Sequence, residues 1–217
     1  MGRQVRAEAT RRRVIDAAVE LFGKLGYGDT GLAEILQRAD VTKGAFYYHF
    51  DTKEAVASAI IEESFQTVRD AADSVIESSS PALENVIRAT FVVASVMESD
   101  SSVQVGKQLA QSLSQVSDRG PQAFEEWTTR FLGQVQAAIT PDDCGNLDPE
   151  DVGETIWVTV LGSHLLSDAL GDDVFARLAK SWRVLLAGIV SPGSLPYFRD
   201  YVARTYQTYA HAPLPAQ

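Results

Sequence analysis

The sequence predicts an all-α protein, with an N-terminal three-helix unit of helix-turn-helix type followed by a larger helical unit. Three observations carry this. Apolar residues recur at spacings of three and four along nearly the whole chain, which is the period of an amphipathic helix. No stretch alternates apolar and polar residues as a half-buried strand does, and no internal repeat is present. Residues 41–50, Val-Thr-Lys-Gly-Ala-Phe-Tyr-Tyr-His-Phe, place four aromatics and a histidine in five consecutive positions, Phe46 to Phe50. One short helix cannot bury that many rings, so some of them face outward. A helix from Lys43 to about His49 would be only two turns long and needs support from its neighbours.

The elements follow in order. From Glu8 to Leu25 the positions Val14, Ala17, Ala18, Leu21, Phe22 and Leu25 form one stripe, and Gly26 follows as the glycine that ends a helix. Tyr27-Gly28-Asp29 reads as a turn, with Thr30 capping a second helix through Leu32, Ile35 and Leu36 to Ala39. Asp40, Val41 and Thr42 form a tight turn, and the Thr42 hydroxyl accepts a first-turn N–H of the third helix. A long helix, a short one, a tight turn and a second short one make a helix-turn-helix. Phe46 and Phe50, four apart, pack on the first helix, which leaves Lys43, Ala45, Tyr47 and His49 pointing outward.

Asp51 to Glu54 opens a fourth helix through Val56, Ile60, Phe65, Val68, Ala72, Val75 and Ile76, long enough to lead from one unit into the next. Ser80-Pro81 starts a fifth with Leu83, Val86, Ile87, Phe91 and Met97, and Ser99 to Ser102 breaks it from a sixth through Val105, Leu109 and Leu113. Asp118 to Pro121 starts a helix carrying Phe124, Trp127, Thr128, Phe131, Val135 and Ala138, and a loop from Thr140 to Asn146 holds Cys144. Asp148-Pro149 opens the next helix, through Val152, Ile156, Thr159, Val160, Ser163 and Leu166. Beyond Gly171-Asp172-Asp173 the stripe Phe175, Leu178, Trp182, Leu185 and Ile189 repeats at three and four. Ser191-Pro192-Gly193 leads to a last helix from about Leu195 to Tyr209, and a tail from His211 to Gln217 is expected to be loose.

Composition narrows the function classes. No apolar run approaches the ~20 residues of a membrane span, and the N-terminus lacks the apolar segment of a secretory signal. Cys144 is the only cysteine, so no intrachain disulfide forms, and His49, His164 and His211 lack zinc-ligand spacing. A soluble cytoplasmic protein without metal or cofactor is expected. The net charge of −10 divides into +2 over residues 1–53 and −12 over the remainder. Arg3, Arg6, Arg11, Arg12, Arg13, Lys43 and Lys53 carry the cationic part. Such an asymmetry reads either as a solvated face or as the footprint of a polyanion partner. No His-Glu-x-x-His helix, nucleophile motif or phosphate-binding glycine loop is present, which argues against an enzyme.

Thr30 through Lys53, with Thr42-Lys43-Gly44, Phe46-Tyr47 and His49-Phe50, resembles the DNA-binding domain of the TetR family. The opening Arg3 to Glu8, the run Val-Thr-Lys-Gly-Ala and Trp127 resemble the γ-butyrolactone receptor branch, which controls antibiotic production in filamentous soil bacteria. Gly106, Leu109, Trp127 and Gly162 extend the likeness into the second half, and the sequence pI of about 4.7 suits the acidic autoregulator receptors of that branch. The resemblance implies a ligand-responsive transcriptional repressor. It would bind a palindromic double-stranded DNA operator as a homodimer and be released by a γ-butyrolactone-like molecule. Residues 1–52 would bind DNA, and residues 53–217 would bind ligand and dimerise.

The resemblance also implies roles. Thr42, Tyr47, His49 and Lys53 match phosphate-holding positions, and Thr30 belongs to the same contact set. Gly44 permits close approach to the duplex, while Lys43, Ala45 and Tyr48 face base edges. Arg3 and Arg6 lie along the backbone or minor groove. Trp127 with Thr128 and Phe131, facing Thr159 and Ser163, suggests an apolar cavity with a few hydroxyls, to which Phe91, Gln108 and Leu109 are added. The alternative for Trp127 is ordinary core, and His164 reads as structural. Leu166, Leu178, Trp182, Leu185 and Ile189 would pair with their symmetry mates in a four-helix interface, or else fill the chain's own core. Two rivals remain open within regulators and adaptors: a TetR-like repressor of efflux or catabolic genes with an unrelated apolar ligand or antibiotic, and a helical adaptor that binds only proteins.

Overall fold

The structure, a computed structural model, describes residues 2–76, 82–113, 125, 128–133, 135–136 and 147–210. Among them nine helices are delimited and no strand occurs, in agreement with the all-α reading: α1 (Gly2–Leu25), α2 (Leu32–Ala39), α3 (Lys43–Tyr47), α4 (Lys53–Ile76), α5 (Ala82–Ser99), α6 (Ser101–Leu113), α7 (Pro149–Leu170), α8 (Val174–Ile189) and α9 (Leu195–Ala210). Residues 128–133 are also helical. The expected Ser80-Pro81 and Asp118–Pro121 helix starts, the Cys144 loop, Trp127 and the tail from His211 lie outside the described residues.

The chain divides into two compact units, one of Met1–Thr67 with Asp100–Phe124 and one of Val68–Ser99 with Glu125–Gln217. This division differs from a cut at 52/53. Helix α4 contributes residues to both units, and α6 joins the first because Val105 and Leu109 bury in the same cluster as Val14, Ala18 and Phe22 of α1.

In the first unit Val14, Ala17, Ala18 and Phe22 of the α1 stripe are buried, Leu21 is half-buried and Leu25 at the helix end is exposed; Gly26 ends the helix at φ 84° with its N–H on the Phe22 carbonyl. One cap departs from the expectation. Thr30 does not cap α2: its hydroxyl donates back to the Gly26 carbonyl at 2.8 Å, closing the end of α1. Gly31 takes the cap position, and the Glu34 carboxylate accepts the Gly31 N–H at 2.7 Å. Asp40 then leaves α2 in the left-handed region at φ 52°, and its N–H and that of Val41 satisfy the Gln37 and Leu36 carbonyls. This turn sets the direction of α3.

Helix α3 is five residues long, shorter than the two turns expected, because the chain tightens after Tyr47, where the His49 N–H reaches the Phe46 carbonyl at 2.8 Å. Phe46 is fully buried and Phe50 nearly so, in one cluster with α1, α2 and α4. Asp100 caps α6 by accepting from Ser102 and Val103.

Helices α4 and α6 meet without a side chain between them on the α6 side. A Cβ built on Gly106 would stand 2.2 Å from Ser64 Oγ and 2.4 Å from Ser64 Cβ, while the Ser64 hydroxyl donates to the Ile61 carbonyl at 2.8 Å.

In the second unit, α8 packs on α7 and α9, and α5 packs against both α8 and α9. Asp148 caps α7 ahead of Pro149, Gly171 ends it at φ 66°, and Asp173 caps α8 through the N–H groups of Phe175 and Ala176. Trp182 is buried and donates its indole N–H to Thr90 Oγ1 at 3.0 Å.

Gly106→Ala is expected to destabilise the protein by about 1–3 kcal/mol through overpacking. Thermal unfolding of Gly106→Ala with and without Ser64→Gly checks this, since emptying position 64 should restore part of the lost Tm.

Candidate nucleic-acid interface and ligand cavity

The segment from Thr42 to Phe50 is two-sided. Thr42 Oγ1 accepts the Ala45 N–H at 3.2 Å, which caps α3 and leaves the hydroxyl proton available to a second acceptor. Lys43 and Gly44 are exposed, Ala45 and His49 are half-buried, and Tyr47 and Tyr48 stand 53% and 70% exposed over the buried Phe46. Tyr47 meets Phe46 edge-on and Tyr48 meets His49 edge-on, so the exposed rings have fixed neighbours. The result is a small surface carrying an ammonium, two phenols, an imidazole and a hydroxyl. Those are the donor types that hold phosphates and read base edges.

Two members of the expected DNA-contact set are placed differently. Thr30 is buried, with its hydroxyl turned to the Gly26 carbonyl, and presents no side chain outward. The Lys53 ammonium donates to the Tyr27 and Thr30 carbonyls, each at 2.8 Å, and lies 4.2 Å from the centre of the Tyr27 ring. Two of its three protons therefore brace the turn before α2. Burial and the nearby Glu54 carboxylate push the Tyr27 phenol above its ordinary pKa.

Much of the arginine cluster is engaged inside the unit. Arg11 and Arg12 pair with the two oxygens of Glu63 on α4, at 2.9 and 3.2 Å, and Arg13 donates to the Asp40 carbonyl. Arg6 is exposed, and Arg3 lies in the first turns of α1 with its side chain outside the described residues.

The second unit contains a cavity of about 10 Å³, room for about one water molecule, walled by Ala89, Thr90, Val93, Phe131, Trp157 and Val160. Phe131 and Trp157 lie with ring centres 4.8 Å apart. Arg69, Ala72, Asp73 and Arg130 also line it, and Arg130 pairs with Asp73 at 2.6 Å.

Of the expected ligand residues, Phe131 lines this cavity and Trp127 lies outside the described residues. Phe91 is buried in a stack with Phe175 and Tyr209. Thr159 is half-buried, and its carbonyl accepts the buried Ser163 hydroxyl at 2.7 Å. Gln108 is exposed and Leu109 buried, both within the first unit. Sequence reasoning missed Trp157, which lies one position past Ile156 on the far edge of its stripe. It also missed Arg130 and Asp73, 57 residues apart in sequence.

Of the expected dimer residues, Leu178, Trp182 and Ile189 are buried within the chain, because their three-four stripe faces α5, α7 and α9; Leu185 is half-buried, and Leu166 is exposed. The apolar side chains left outward on α7 and α8 are Val158, Leu165, Leu166, Leu170 and Val184. Among the described residues no cluster could hold a metal ion, and no helix is long and apolar enough to cross a membrane.

Residues 14–60 match the family of bacterial regulatory proteins, tetR family. The A-factor receptor protein of Streptomyces griseus is 32% identical over 206 residues, covering 92% of this chain and 70% of that protein. The chain therefore belongs to the TetR family, whose members are DNA-binding transcriptional regulators. Within it the likeness runs over the whole chain toward the γ-butyrolactone receptors. A crystal structure of a γ-butyrolactone receptor (ArpA-like protein) is 31% identical with a TM-score of 0.72, covering 93% of this chain and 99% of that one. CprB from Streptomyces coelicolor, solved in complex with its biological operator sequence, is 32% identical with a TM-score of 0.71, covering 94% of this chain and 99% of that one. The chain is a ligand-responsive DNA-binding repressor.

Lys43→Ala is expected to leave Tm unchanged, to weaken operator binding by about 1–3 kcal/mol and to relax specificity at the base pair it faces. Lys53→Ala is expected to cost about 1 kcal/mol, a Tm loss of roughly 2–4 °C, because two carbonyls lose their donor. Calorimetry and a salt titration of operator binding separate the two roles.

Proposed function

We propose that the protein is a homodimeric cytoplasmic repressor that holds a palindromic operator through two copies of α3 and is released by a γ-butyrolactone-like molecule. The observation that carries this reading is the surface of Lys43, Tyr47 and Tyr48 raised on a buried Phe46. One such unit touches too few base pairs for useful affinity, so two would lie about one helical turn apart, roughly 34–36 Å, on half-sites of an inverted repeat. CprB, similar along nearly its whole length, was solved on an operator, which supports the same use here.

In this reading Lys43, Ala45 and Tyr48 meet base edges, while Thr42, Tyr47 and His49 take phosphates. Lys53 acts mainly by bracing the loop before α2. The second copy would dock on the outward face of Val158, Leu165, Leu166 and Val184, apolar side chains of two packed helices that otherwise meet water. The ligand would enter the space beside Phe131 and Trp157.

Helix α4 couples the two events. It carries Glu63, which pairs with Arg11 and Arg12 of the first unit, and Asp73, which lines the cavity in the second. Ligand must prefer one α4 position over the other, since equal affinity for both states shifts nothing. Reversing a strongly biased equilibrium takes ~10⁴-fold differential affinity.

A band-shift against inverted-repeat and scrambled duplexes at low salt tests the reading, and equal affinity for both would overturn it. Tyr47→Ala is expected to abolish operator binding with the dimer and ligand uptake intact. Trp127→Ala is expected to keep operator binding and lose release by ligand. Leu165→Glu should give monomers by sedimentation, whereas Trp182→Ala should lower the unfolding free energy by a core-cavity amount of about 3–5 kcal/mol.

A further inference from the structure

We propose that Asp40 limits the protein's affinity for DNA: its carboxylate, held at the turn into α3, repels the phosphates of any duplex and so weakens the sequence-independent part of binding. The proposal rests on reading α3 as the element that meets DNA. Asp40 breaks two local rules. It is the one non-glycine residue at positive φ among the described residues, at φ 52° and ψ 53°, a region that strains most side chains. It also places an anion at the C-terminal end of α2, where the helix dipole favours a cation.

The turn does not account for the charge. Asp40 is exposed, its backbone N–H donates to the Gln37 carbonyl at 3.2 Å, and its own carbonyl accepts from the Arg13 guanidinium at 3.3 Å. The carboxylate itself has no hydrogen bond or ion pair among the described residues. Every contact that shapes the turn is thus a backbone contact, which asparagine or glycine at position 40 would make equally well. Of the cations around the turn, Arg38 pairs with Glu20 of α1, and Arg13 meets the backbone and not the carboxylate.

The charge stands close to the groups that face DNA. Thr42, whose hydroxyl proton is available to a phosphate, follows two residues later, so the two Cα atoms lie within about 7.6 Å, inside the ~8 Å screening length of physiological salt. Lys43 opens α3 one residue further on. A duplex carries one charge about every 1.7 Å of its axis, so α3 cannot be seated without bringing the Asp40 carboxylate into that field. Such a repulsion acts alike on operator and random DNA. It leaves the ranking of sites to the base contacts and lowers occupancy of the far more numerous wrong sites.

Two probes are titrated by fluorescence anisotropy into the full-length protein. One is a scrambled duplex of about 30 base pairs, room for two half-sites, and the other an inverted-repeat duplex that the wild-type protein selects from a random pool. Asp40→Asn keeps the turn and the side-chain shape and removes only the charge. It is expected to tighten both duplexes about threefold per copy, or about tenfold for a protein that binds as a dimer. The gain should shrink between about 50 and 200 mM salt as screening strengthens. Tm should stay within about 2 °C of wild type. Asp40→Gly should tighten both duplexes by the same factor and hold or raise Tm.

An Asp40→Asn protein that binds the scrambled duplex no better than wild type, or not at all, overturns the proposal. So does a gain confined to the inverted repeat, looser binding of either duplex, or a Tm loss above about 4 °C, which would give the carboxylate a structural role. Tyr47→Ala separates this proposal from the reading beneath it. Lost inverted-repeat binding in Tyr47→Ala with no gain in Asp40→Asn defeats this proposal alone, whereas a Tyr47→Ala protein that binds as wild type defeats the α3 reading.

Discussion

The burial of Phe46 and Phe50 against α1 and α4 is the contact on which the DNA-facing surface depends. A helix of five residues cannot form by itself, since its nucleation cost exceeds what so few hydrogen bonds return. Phe46 supplies the missing free energy through a fully buried ring, and Asp40 fixes the direction in which α3 leaves α2. The Thr42 cap then aligns the first turn. With these fixed, Tyr47, Tyr48 and Lys43 are held outward without having to pack on anything themselves. The underside of this proposed binding surface is core.

Helix α4 gives the chain a second organising constraint. Within one helix, Glu63 answers to the arginines of α1 and Asp73 to Arg130, ten residues or roughly 15 Å further on. Both are ion pairs on partly exposed side chains, so each is weak enough to be exchanged. The aromatic stack of Phe91, Phe175 and Tyr209 lies apart from this path and reads as core holding α5, α8 and α9 together.

The fold was legible in the sequence wherever periodicity and caps agree. The α1 stripe with Gly26, the Thr42 cap, and the Asp148-Pro149 and Gly171 limits of α7 fall where spacing puts them. Local rules ran out where one side chain had two possible backbone partners. Thr30 could cap the helix after it or close the helix before it, and tertiary packing chose the second. Stripes identify a buried face without naming what buries it. Trp182 and Leu178 were therefore open between a partner copy and the chain's own core, and they proved to be core. The cavity was half legible. Phe131 stood on a readable stripe, whereas Arg130 and Asp73 come together only through the packing of distant segments. The role of Lys53 was hidden for a related reason, since no pattern tells a cation aimed at a phosphate from one aimed at its own chain's carbonyls.

Where α4 crosses α6, Gly106 offers only hydrogen atoms to Ser64. Most helix pairs are cushioned by side chains that can change rotamer and absorb a small displacement. Here there is nothing to compress. A shift of α4 at this crossing must be passed to α6 undamped or taken up as sliding along the contact. In mechanical terms the pair is a stiff joint, so α4 and α6 of the first unit answer as one body.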